Sequence, residues 1–293
     1  SMVLNHRKTG LTKPALAYGG CWHKILEAHY KSGGDIDLVF EAAHRGWQEH
    51  DNPDDHRTLK RCRSEYEKYL EKWGTHDEEA AGWGVTVGYP DHPMVEMATE
   101  VSWPEALHPY TGRIDRIVEH QGLYYVEDHK TTARLDKNYF RQFDPSNQMM
   151  GYAWIAQLIT GLPIAGIRIN LHVIHTKDSL FERQVIMYAP ERLQEWAANL
   201  NVWIKRIEFS MQLLIDAAEK AGIPFNSLDI LTVLEKEVRE AFPRNYNACA
   251  GKYGQCVYAD VCTMPSRLRA RILEADYSDD PWNPLESGDN GTE

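Results

Sequence analysis

A chain of 293 residues, 43% apolar and 26% charged, has ample material for a packed core and is too apolar for a disordered polymer. Its formal charge of −11 excludes a generally basic nucleic-acid coat, although the acid is uneven: from Asp276 onward there are six acids and no Lys or Arg. No run approaches the ~20 consecutive apolar residues of a membrane span, and the leading SMVLNHRKTGLTKP has no apolar signal core; the expectation is a cytoplasmic protein with no membrane partner.

Leu16, Trp22, Ile25, Leu26 and Tyr30 share one face at helical spacing and predict a helix over 15–30, stopped by Lys31-Ser32-Gly33-Gly34. A second helix is expected over 35–47, a turn over 52–55 and a third helix over 56–73. That third helix, rich in Lys, Arg and Glu, reads as largely surface, with Cys62 a bystander. Its Lys60, Arg61, Arg63 and Lys68 form either a phosphate-facing row or a solvated face. The glycine-spaced 82–90 brings a strand or loop toward the core, and 94–103 reads as the first strand of a sheet, carrying Glu96 and Glu100.

The stretch from Gly112 to Lys130 is a hairpin in which each strand delivers a carboxylate. Asp115 sits in Arg113-Ile114-Asp115-Arg116-Ile117-Val118; after a turn at Glu119-His120-Gln121-Gly122 the chain returns through Leu123-Tyr124-Tyr125-Val126 to Asp128 and Lys130. Side chains two apart on a strand share a face, so Asp128 and Lys130 project together and His129 projects away from them, with no catalytic side-chain role. A tight hairpin makes Asp115 and Asp128 cross-strand neighbours. Two carboxylates that close need a cation between them, and hard oxygen ligands point to Mg2+ or Mn2+.

A polar link over 133–146 leads to a helix over 147–158 that places Gln148 and Tyr152 at i, i+4, on one face, before Gly161-Leu162-Pro163 breaks it. Two strand-like runs, 164–176 and 180–189, form a further hairpin. A long amphipathic helix over 190–221 follows, and another begins at Pro224 and ends near Pro243. The segment 247–264 holds Cys249-x6-Cys256-x5-Cys262, an odd-numbered cysteine set that suits a metal or cluster site in a reducing compartment better than disulfides. A short basic helix is expected over 267–274, and 276–293 has the composition of a disordered acidic tail.

Asp115, twelve intervening residues and Asp128-x-Lys130 resemble the signature of the PD-(D/E)XK nuclease superfamily. Gly112-x-x-Asp115 with Asp128-x-Lys130-Thr131-Thr132 is similar to its RecB-like, phage-type exonuclease branch. Gly19-Gly20-Cys21-Trp22-His23-Lys24-Ile25-Leu26-Glu27 is similar to that branch's first motif, and Gln148-Met149-Met150-Gly151-Tyr152 to its Gln-x-x-x-Tyr helix. Three motifs in the family's order span roughly half the chain, where a lone D-x-K would be weak.

The resemblance implies an α/β fold: a central mixed β-sheet of restriction-endonuclease-like type flanked by helices, with a helical C-terminal extension, in one domain over 1–275. It implies a metal-dependent deoxyribonuclease acting on DNA in phage or bacterial recombination, repair or defence, with a helicase or recombination protein as a further partner. His23, Asp115 and Asp128 would bind Mg2+ or Mn2+ together with the His129 carbonyl, Lys130 would act on water or phosphate, and Gln148 and Tyr152 would hold the substrate or order the catalytic groups. Glu96, on a strand where that branch can carry a glutamate near the site, is either a metal partner or a support standing behind the ligands, or else an outward-facing charge. For the iron-sulfur subgroup of this branch, Cys249, Cys256 and Cys262 resemble the downstream ligands of a [4Fe-4S] cluster, with Cys21 in place of the family's usual upstream cysteine; a zinc site completed by histidine, or a segment folded round its own core, are the alternatives. The competing function is a nuclease-fold protein that binds DNA or a partner without cutting.

Overall fold

The computed structural model describes residues 6–8, 13–50, 52, 54–103, 109–251 and 254–279. The described residues gather into two compact units, 13–103 with 109–199, and 200–279 with 6–8. Strand β1 (His6–Lys8) belongs to the second.

In the first unit, α1 (Pro14–Ser32) begins with proline at its first turn, where the missing N–H costs nothing, and ends at Gly33 in the left-handed conformation (φ 72°). Next come α2 (Ile36–Arg45), α3 (Leu59–Trp73) and α4 (His76–Trp83). Thr75 and Glu78 form a reciprocal capping box at the start of α4, a short helix the sequence reading did not anticipate. Tyr18, Trp22, Ile25 and Leu26 of α1 pack with Cys62, Tyr66, Tyr69 and Trp73 of α3 in one buried cluster. The largely surface α3 is therefore corrected to a half-buried helix, and Cys62 to a core residue: its Cys, Tyr and Trp at steps of four, three and four make a continuous apolar stripe. Two of its basic residues serve the fold. Arg61 donates to the carbonyl oxygens of His175, Thr176 and Asp178, and Arg63 donates to Phe40 O.

The sheet is built from β2 (Val85–Thr86), β3 (Val95–Val101), β4 (Tyr110–His120), β5 (Leu123–Thr132), β6 (Ile164–Ile174) and β7 (Ser179–Met187). Its order is β2-β4-β5-β6-β7, with β3 also paired to β4. Only β5–β6 is parallel. A parallel join requires a crossover, here a 3-10 turn (Tyr139–Phe143) and helix α5 (Asn147–Thr160). This mixed sheet flanked by helices is the α/β fold expected. Helix α6 (Pro190–Ala221) gives its residues to Asn199 to this unit and the rest to the second.

The second unit adds α7 (Ile230–Val233), α8 (Glu235–Ala241), a hairpin of β8 (Ala250–Gly251) and β9 (Gly254–Gln255), α9 (Ala259–Thr263), α10 (Ser266–Asp276) and β10 (Tyr277–Asp279). The single helix expected from Pro224 is instead two short ones. Asp229 N–H donates to Ser227 Oγ at 3.2 Å, a local bond that competes with helix, and Leu234 at φ −108° separates α7 from α8. The expected disordered tail is ordered at its start: β10 pairs antiparallel with β1, and the buried Tyr277 ring stacks on Tyr258 at 5.5 Å. Residues 280–293 lie outside the described residues. Among the described residues, no helix is long and apolar enough to cross a membrane.

Candidate metal centre

The register of the sheet assembles the site. On one side of Asp115, β3 pairs with β4 through Val95↔Arg116 and Met97↔Ile114, so Glu96 faces Asp115 across the strands. On the other side the β4–β5 ladder ends at Arg116↔Glu127, and one further step brings Asp128 beside Asp115. Where that ladder ends, the Asp115 carboxylate takes over: its Oδ2 accepts the His129 N–H at 2.7 Å, pinning β5 next to the acid. Like charges directly opposed on a sheet repel, and here three acids stand in a row.

Glu96 reaches the row through an unusual backbone. Its φ of 51° lies in the left-handed region that residues with a side chain rarely adopt, a form of strain that clusters at functional sites. The fourth group arrives on α1, which approaches β5 closely because position 19 is glycine; a Cβ there would stand 3.3 Å from Thr131 Oγ1. That approach carries His23 to the acids, with Nδ1 at 3.5 Å from Asp115 Oδ2 and 3.7 Å from Glu96 Oε1. Among the described residues, His23, Glu96 and Asp115 form the group of three metal-ligand side chains whose donor atoms all lie within 4.8 Å of one another. Two carboxylates and an imidazole at this spacing fit a hard divalent cation such as Mg2+ or Mn2+.

Asp128, also expected as a ligand, is ion-paired to Lys130, Nζ to Oδ2, at 2.6 Å. Opposite them, glycine at 112 leaves room for Tyr152, whose Cε1 would stand 3.2 Å from a Cβ there. Gln148 Nε2 donates to Tyr152 Oη at 3.1 Å, so the i, i+4 pair acts as one polar unit. His129 projects away as pleating requires, its ring stacked on Tyr30 at 5.8 Å and 15°.

Charge follows geometry. Burial and the neighbouring Glu96 raise the Asp115 carboxyl, against the opposing pull of His23, Lys130 and the His129 N–H. Burial pushes Asp128 up to about 6, helped by Asp115 and resisted by Lys130. Burial alone would lower His23, yet Asp115 and Glu96 outweigh it and hold the imidazole up at about 9. Lys130 is raised: burial works against its charge, but Asp128 and Asp115 prevail. Both acids therefore resist ionisation while the histidine holds a proton, the state of a ligand set that a cation would convert.

Behind the row lies a buried ionic lattice that the sequence reading did not find. Arg116, next to Asp115, contacts Glu79 at 3.0 Å and Glu127 at 2.9 Å and lies 3.6 Å from the Tyr30 ring centroid. Arg168 pairs with Glu127, and Arg183 with Glu79 at 3.0 Å. Arg183 Nε also donates to Asn170 Oδ1 at 3.2 Å, and Asn170 Nδ2 lies 3.2 Å from His129 Nδ1. Residues 116, 127 and 129 alternate with 115, 128 and 130, so the lattice fixes the strands from which the site projects. The charge–apolar alternation of 113–118 was the signal that could have revealed it.

The cysteines are placed in both units. Cys21 is buried in the first, where its thiol donates to Ala43 O at 3.4 Å and meets Cys62. In the second, Cys249 and Cys256 are exposed and Cys262 is half-buried on α9; Cys256 N–H donates to Cys249 O at 2.8 Å across the β8–β9 hairpin.

A sequence profile described as the PD-(D/E)XK nuclease superfamily matches residues 2–263. Comparison with curated proteins returns no match.

Proposed function

The chain belongs to the PD-(D/E)XK nuclease superfamily, and from that premise we propose that it is a divalent-metal-dependent deoxyribonuclease of the RecB-like exonuclease type. The observation that supports this most is the convergence of His23, Glu96 and Asp115 beside the Asp128–Lys130 pair. A bound divalent cation supplies charge neutralisation at the scissile phosphate and a more acidic water. His23, Glu96 and Asp115 would hold it, and Asp128 would be a further ligand with Lys130 turned toward the substrate. Lys130 stays protonated beside its two acids, orients the attacking water and offsets charge on the phosphoryl oxygens. Gln148 and Tyr152 present one amide and one phenol to a substrate phosphate. Cys249, Cys256 and Cys262, all in the second unit, are proposed as ligands of an iron-sulfur cluster, and phage or bacterial recombination, repair or defence, with a helicase partner, as the setting.

The direct test compares end-labelled linear and circular DNA, single- and double-stranded, with and without manganese. Metal-dependent loss of label from linear molecules alone supports an exonuclease. Cleaved circles would replace that with endonuclease action, and no cleavage of any substrate with manganese present would remove the reading.

Metal affinity should depend on pH. His23, protonated below about 9, must lose its proton to become a ligand. Manganese binding is therefore expected to tighten by up to about tenfold per pH unit between neutrality and that value. Calorimetry in buffers of different ionisation enthalpy should detect the released proton; pH-independent affinity with no proton release would take His23 out of the ligand set.

A further inference from the structure

Helix α6 carries an apolar stripe that remains exposed among the described residues. In the second unit Val202, Phe209 and Leu213 are 50%, 66% and 49% exposed, far more than large apolar side chains on one helix face need be. They belong to a row, Val202, Arg206, Phe209, Leu213, Asp216 and Lys220, whose steps alternate between four and three. That spacing keeps one seam of a helix facing a partner along its length, the pattern of a coiled-coil contact.

The row is also self-complementary. Turned end for end about a twofold axis through position 211, it sets Phe209 against Leu213 of the second copy, and Leu213 against that copy's Phe209. The same operation sets Arg206 against Asp216 twice, and lays the Lys220 stem along Val202 at each end. Neither Arg206 nor Asp216 makes an ion pair within its own chain among the described residues: Arg206 lies over the Trp203 ring at 5.3 Å, and Asp216 accepts from Gln212 at 2.8 Å. An isologous contact requires residue i to meet j while j meets i. Here that condition is met by size, with aromatic against aliphatic, and by sign, with cation against anion.

We propose that the protein associates with a second copy of itself through an antiparallel pairing of α6, with Phe209 and Leu213 at its centre and reciprocal Arg206–Asp216 ion pairs flanking them. The palindrome of charge and bulk favours this occupant over an unrelated partner, which would have no reason to require it.

Sedimentation equilibrium of the full chain tests the pairing. The wild type should move toward twice the chain mass across micromolar concentrations. Phe209→Glu with Leu213→Glu should remain monomeric at every concentration. Arg206→Glu should weaken association about tenfold by setting like charges together at two places, and adding Asp216→Arg should restore it. Circular dichroism and manganese-dependent DNA cleavage per chain, read on each variant, establish that the fold is intact; none of these residues belongs to the metal centre. A wild type that stays monomeric, a dimer that survives the two glutamates, or a double charge swap that fails to restore association overturns the proposal.

Discussion

Asp115→Asn should lower metal-dependent DNA cleavage by about 1,000-fold, the scale on which losing one group that stabilises the transition state is felt, while leaving the melting temperature equal or higher. The substitution is nearly isosteric, and the amide oxygen can still accept the 2.7 Å bond from the His129 N–H, so β5 keeps its anchor. What is lost is a charge that the fold itself disfavours, because burial and Glu96 raise this carboxyl above its ordinary range. The same holds for Asp128, whose carboxyl moves from 3.8 to about 6. A carboxyl with a raised folded-state value binds its proton more tightly in the fold, so its contribution to stability declines as pH rises between those two values. The residual cost at neutral pH is on the order of 3 kcal/mol. A cation relieves it. Manganese should therefore raise the melting temperature of the wild type and shift Asp115→Asn little. Lys130→Met should be equally inactive for a different reason and less stable, because it strips Asp128 of its 2.6 Å counterion. Full cleavage by a folded Asp115→Asn protein would sink the assignment.

Glu127→Gln is expected to cost about 3–5 kcal/mol of stability, the usual penalty for removing one member of a buried ion pair. Glu127 is fully buried and is shared by Arg116 and Arg168; without its charge, Arg168 loses its carboxylate partner and Arg116 is left to share Glu79 with Arg183. The three arginines hold Glu127 well below the carboxylate range against the opposing effect of burial, so its contribution is complete above its ordinary value of 4.5 and fades as pH falls further. Asp128 and Glu127, adjacent on one strand, thus pull the pH–stability curve in opposite directions. Urea unfolding of Glu127→Gln at neutral pH and of the wild type from pH 7 downward would check both; a loss under 1 kcal/mol (~1) would mean the lattice is already relaxed by water.

The sequence revealed the parts of the site that obey local rules. Strand pleating grouped Asp128 with Lys130 and turned His129 away, helical spacing joined Gln148 to Tyr152, and turn residues located the β4–β5 hairpin. What it left obscure depends on long-range register or backbone strain. Nothing local says that Glu96 rather than Asp128 completes the close trio with His23 and Asp115, because that follows from which strand lies on the far side of β4. The lattice of Glu79, Arg116, Glu127, Arg168 and Arg183 draws on five elements, and its members look like ordinary surface charges in isolation. Helix α3 misled by composition: its charged residues outnumber the buried Cys, Tyr and Trp that fix its orientation.

Position 96 holds a further consequence. A glutamate at φ 51° carries a backbone cost of about 1–3 kcal/mol, which glycine would avoid. Selection for thermal endurance and selection for DNA cleavage should consequently part company at this one codon. A library sorted for heat resistance would drift to glycine or asparagine there, while one sorted for turnover would keep the acid, so the residue enriched at position 96 reports which pressure a lineage has been under.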